Sequence, residues 1–295
     1  MLTYQASKIA KISLQWIQSG CKIRNVSTSR NSPNLDRISI LAGTILLAYT
    51  FAGLISIPVR EIAAQLPGIY LEIEINTQTF VSFFVVCLAA SGTDWLLREH
   101  PSSHNQPLAP HLLLPALTSW VIGVPLHQQA LGSYWWVGIF LGGGALTLVL
   151  IAEFSVVDPN DSNYALASVG LTTVAYALYF LLAVTLKESQ IRLFLLVPAL
   201  TLVVLFVSLR ILHLRSRGKW AFQEAGISAL IMAQITLAAF YLPLAPISFG
   251  LFLLGPSYGL TSLFGNLEDG KTWKNSVFES LVVLAFFWCL ALWLR

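Results

Sequence analysis

Nine runs of roughly 20 mostly apolar residues dominate this chain, each about long enough to cross the hydrocarbon core of a bilayer. They lie near residues 38–57, 79–97, 111–127, 134–154, 164–186, 192–212, 224–242, 247–265 and 276–294. Lipid offers no hydrogen-bond partner, so a spanning segment must pair its own backbone N–H and C=O groups, which here requires α-helix. The expected fold is therefore all-α: a polytopic transmembrane helical bundle of about nine spans. Charged residues make up only 11% of the 295 positions, against about 25% in soluble domains, too few to cover a water-facing surface. The third run is the weakest, being short and carrying Pro115 and Pro125. The turn from Pro243 to Pro246 makes the seventh and eighth runs antiparallel neighbours.

Two domains follow: a polar segment over 1–36 and a transmembrane domain over 37–295. On a helical wheel Leu2, Ala6, Ile9, Ile12, Trp16 and Ile17 share one face, opposite Lys8, Lys11, Gln15, Gln18 and Lys22. Such a basic amphipathic helix can lie among the headgroups of an anionic leaflet. An organelle transit peptide is the competing reading, because no acidic residue precedes Asp36. Residues 25–36, rich in Ser and Asn, read as a linker. With the N-terminus in the cytoplasm and nine crossings, all of the 17 Lys and Arg except Arg60, Lys187, Arg192 and Arg295 fall on the cytoplasmic side. That bias favours an N-terminus inside and a C-terminus outside. Between the first two spans, Leu71, Ile73 and Ile75 alternate with Glu72, Glu74 and Asn76, the period of a short extended segment on the outer surface. It reads either as a small lid or as a surface loop packed on the helix ends.

An ionisable side chain deep in a membrane is a functional candidate by default. Asp94, Glu153, Glu224 and Glu279 instead fall within about a turn of the cytoplasmic ends of their spans, and Asp94 has Arg98 at i+4 as a local partner. The expected interior is neutral, with Thr118, Ser119, Thr172, Tyr176, Gln234, Ser257 and Tyr258 near the midplane as candidate ligand-binding groups. Each has interhelical hydrogen bonding as its plainer use. Asp158 and Asp161, with Glu153 before them, form the one acidic candidate for magnesium-assisted diphosphate chemistry, although Pro159 also fits an ordinary turn. Gly138 and Gly142, and Gly255 and Gly259, form small-xxx-small steps for close helix approach. The run GPSYG matches GxSxG formally but lies inside a span, away from the strand-to-helix turn that motif needs. His100, His104, His111, His127 and His213 read as exposed or interfacial, so no catalytic cluster or metal site is assigned. Cys21, Cys87 and Cys289 are far apart, with no CxxC pair. No nucleotide-binding loop appears, and nothing implies a nucleic acid partner.

The stretches GTDWLLREHP (92–101), WWVGIFLGGG (135–144) and PISFGLFLLGP (246–256), with residues 37–295 generally, resemble an uncharacterised family of bacterial multi-pass membrane proteins. That resemblance implies a bacterial inner membrane and carries over no activity, cofactor or site residue. Three functions remain in play. The first is a non-enzymatic accessory or structural subunit of a membrane complex, in contact with lipid, other membrane subunits or a bound hydrophobic ligand. The second is a transporter or flippase for a neutral or lipid-like substrate. The third is an intramembrane transferase at the cytoplasmic face, using Glu153, Asp158 and Asp161.

Overall fold

A computed structural model describes residues 35–54, 60–66, 69–75, 77–98, 108–129, 132–158, 163–216 and 220–294. All of them lie in the compact unit Pro33–Arg295. The amphipathic segment, most of the linker, Cys21, His100, His104 and Asp161 lie outside the described residues. The helices are α1 (Leu35–Leu54), α2 (Thr77–Leu97), α3 (Ala109–Gln128), α4 (Ser133–Val156), α5 (Tyr164–Glu188), α6 (Leu193–Arg215), α7 (Phe222–Phe240), α8 (Pro246–Glu268) and α9 (Trp273–Trp293). Among the described residues, these nine are long and apolar enough to cross a membrane.

Contacts at the two ends establish that the helices alternate in direction. At the end where α1 starts, termed the near end, Arg37 lies over Trp95 at the close of α2. There too the Tyr164 hydroxyl, at the start of α5, donates to the Leu214 carbonyl at the end of α6. At the far end Ser82 of α2 meets His127 of α3 at 2.9 Å. Lys187 at the end of α5 donates to the Phe240 carbonyl that closes α7. A hairpin of β1 (Arg60–Leu66) and β2 (Ile69–Ile75) joins α1 to α2, its antiparallel register pairing Ile62 with Ile73. The period-two pattern gives β2; its partner, REIAAQL, carries no such alternation.

Two apolar cores share α3. One joins α1 to α4 through Ile45, Tyr49, Ala89, Ile122 and Leu150. The other joins α3 to α8 through Val121, Leu171, Leu182, Val203 and Leu253. This central position accounts for the weak third run. Of its span 61% is buried, against 11% of α9, so α3 need not be apolar on every face to meet lipid. Its Tyr49 neighbour fits over Gly123 and donates from its hydroxyl to the Ser119 carbonyl at 2.6 Å.

The glycine steps work as expected. A Cβ on Gly142 would lie 2.5 Å from Ile122 Cγ2, and one on Gly255 would lie 2.9 Å from Phe287 Cβ. Backbones approach because those side chains are missing. Gly142→Leu should therefore destabilise the protein by about 1–3 kcal/mol through overpacking. Gly144→Leu, where nothing lies within 4 Å, should leave the detergent melting curve in place. Equal effects at both positions would refute the packing argument.

Candidate functional site

A buried ionic cluster lies at the near end, at the helix-end level where the sequence places Glu153 but inside the protein. Glu153 of α4 is 0% exposed and Arg210 of α6 is 1% exposed. The Arg210 Nε donates to Glu153 Oε1 at 3.0 Å, and its Nη2 donates to Oε2. His111, from the first turn of α3, places Nδ1 2.9 Å from the same Oε2 and 3.2 Å from Arg210 Nη2. An ionised carboxylate only accepts, so His111 Nδ1–H is the donor to it. Neither charge can be left alone in such surroundings, because desolvating a lone ion costs several kcal/mol. His111 and His213 are thus buried rather than exposed, the latter 5.2 Å from the Trp220 ring. Glu153 is locked inside the bundle and does not face the near surface.

The other acidic candidates are placed differently. Asp94 forms the local ion pair with Arg98 at 2.7 Å. Asp158 is half-buried just beyond the end of α4. Glu279 accepts from Asn266 at 2.8 Å and from Lys271, holding the start of α9 to the end of α8. Among the described residues no three His, Cys, Asp or Glu side chains form a metal-binding group.

The seven neutral candidates divide. Thr118 and Ser119 are buried in α3, where their hydroxyls donate to the carbonyls of Leu114 and Ala116. Gln234 is exposed on α7. Ser257 is buried in mid-helix with its hydroxyl unpaired, far from the turn geometry of a serine nucleophile. Thr172, Tyr176 and Tyr258 converge on a groove of about 600 Å³ between α5, α6 and α8, with Phe287 of α9 at its side. Tyr176 is hydrogen-bonded to Thr261, and its ring centroid lies 5.3 Å from that of Tyr258.

This groove is graded in polarity. Along α5 the i, i+4 stripe runs Ser168, Thr172, Tyr176 and Phe180, from the near end inward. Opposite it, Leu251 and Leu254 lie deep, Tyr258 lies midway, and Ser262 and Arg215 form the foot. Val169, Thr173 and Ala177 on its α5 wall are exposed, so it opens sideways toward lipid. Arg215 was missed in the sequence, where it read only as one of the basic loop charges. A larger groove of about 940 Å³ between α2, α3 and α6 is apolar along most of its length, with Ser82, His127 and Gln128 at its far-end rim.

A family model described as "Protein of unknown function (DUF5656)" matches residues 57–294. The chain belongs to this family. The match takes in the hairpin and α2 to α9, and therefore both the ionic cluster and the graded groove. No curated protein and no solved structure matches the chain.

Removing one member of the buried pair should be far worse than removing both. Arg210→Met or Glu153→Leu alone should cost about 3–5 kcal/mol, and the double variant should recover most of it. Unfolding midpoints of the four purified proteins test this. A single variant that unfolds like the wild type would contradict the account of the cluster.

Proposed function

We propose that this multi-pass membrane protein binds a lipid-like amphiphile taken sideways from one leaflet into the α5–α6–α8 groove. The observation that carries the reading is the polarity gradient. Hydroxyls and a guanidinium stand at the near end, and aromatic and aliphatic side chains stand toward the middle of the membrane. Ser168 to Phe180 spans about 18 Å of helix, slightly more than half of a hydrocarbon core about 30 Å thick. That length suits a molecule anchored in a single leaflet. The volume of about 600 Å³ falls within the range of small-molecule sites.

The positive-charge bias supports a near end in the cytoplasm, and the resemblance to bacterial multi-pass proteins supports an inner membrane, which makes the donor leaflet the cytoplasmic one. The role is handling of a lipid-like substrate, as in a transporter or flippase. A second reading, an accessory subunit of a membrane complex, is favoured by α9. Only 11% of its span is buried, and Phe278, Phe286 and Trp293, which lie within about 80° of one another around the helix, are exposed, offering an aromatic face to a partner helix.

Gentle extraction followed by native mass spectrometry separates these readings. The wild type should retain about one lipid per chain. Ala177→Phe and Thr172→Phe, which fill the groove from α5, should lose most of it while melting normally. Lipid retained equally by the filled variants would exclude the groove. Stoichiometric partner subunits in place of lipid would favour the accessory role.

A further inference from the structure

Resting on the amphiphile reading, we propose that the groove selects a lipid with an anionic, phosphate-bearing headgroup, held by Arg215 at the near end. Arg215 is exposed at the foot of the groove and makes no ion pair with any described carboxylate. Its one hydrogen bond to a described residue is long, from Nη1 to the Ser262 carbonyl at 3.5 Å. A guanidinium has five N–H donors in a planar fork that matches phosphate oxygens, so most of this donor set remains available.

The position of that fork is set by a glycine. A Cβ on Gly265 would lie 2.1 Å from Arg215 Nη1 and 2.6 Å from its Cδ. The side chain therefore lies flat across α8, where any larger residue at 265 would push it away. This aims the guanidinium along the groove foot beside Ser262, with Thr172 and Tyr258 above it. Snorkelling would take an arginine here toward headgroup level in any case. The Gly265 seat directs it to one side of α6, over the mouth of the groove. An anion there meets a charge-assisted fork and neighbouring hydroxyls while its chain lies against Phe180, Leu254 and Phe287.

The test uses the full-length protein in neutral detergent with pyrene-labelled lipids of matched chains, read by energy transfer from tryptophan. One lipid is phosphatidylglycerol, with net charge −1; the other is phosphatidylcholine, with none. The wild type should bind the anionic lipid about tenfold more tightly. Arg215→Gln should bring the two within about twofold by weakening the anionic lipid alone, and Arg215→Lys should keep part of the preference. Gly265→Val should lose the preference with Arg215 still present, an effect that charge content alone does not produce.

Equal binding of both lipids by the wild type, with both displaced from the groove-filled variants, would overturn the anionic assignment and leave the groove reading standing. Absence of binding by either lipid would overturn the groove reading itself. Displacement of the anionic lipid by millimolar inorganic phosphate would assign the foot to a soluble phosphate and overturn the lipid assignment.

Discussion

The ion pair between Glu153 and Arg210 fixes how the near half of the bundle is assembled. It ties α4 to α6, and through His111 it ties both to α3, which like α4 contributes to both cores. Apolar packing alone tolerates rotation of a uniformly greasy helix about its own axis. A buried charge does not, because turning Arg210 away would leave the Glu153 carboxylate unpaired in a low-dielectric interior. The pair therefore sets the azimuth of α6. Arg215, five residues on, then lies about 140° around the helix from Arg210. Arginines with different tasks thus sit on different faces: one locked among α3 and α4, the other delivered to α8 and the groove foot.

From that constraint the character of the groove follows. Hydroxyls alone, on threonine, serine and tyrosine, would suit a neutral ligand and add little preference for charge. Arg215 changes this only because Gly265 leaves room for it to lie across α8. Deeper in, the walls are apolar and open to lipid, so a hydrocarbon chain needs no route through protein to enter. The site and the membrane around it share one gradient, polar at the headgroup level and apolar inside. A bilayer amphiphile already has that form.

Much of the architecture is legible in the sequence because lipid imposes strict rules. The roughly 20-residue length of a span predicts the nine long apolar helices found among the described residues, and boundaries such as Tyr164 and Pro246 fall where the apolar runs begin. The glycine steps at 138–142 and 255–259 are legible for a similar reason, since small residues four apart have few other uses inside lipid. Azimuth is what the sequence hides. The spans are apolar nearly all round, so nothing in SLRILHLR tells which way Arg210 points. Glu153, Arg210 and His111 each lie close to a helix end, and closeness to an end reads as exposure to headgroups. The available clue was their common level: with nine alternating spans, all three reach the same end of the bundle. Gln234 illustrates the converse, a polar residue at mid-span depth that the structure leaves on an exposed face.

The central claim is that the α5–α6–α8 groove holds a selected membrane amphiphile. A photoreactive amino acid placed at Ala177, on the groove wall, and separately at Leu148, on the exposed face of α4, tests it in the native membrane. Mass spectrometry of the crosslinked lipid should find one headgroup class enriched at position 177, and the bulk lipid composition at position 148. Bulk composition at both positions would contradict the account, because the groove would then be ordinary lipid-facing surface.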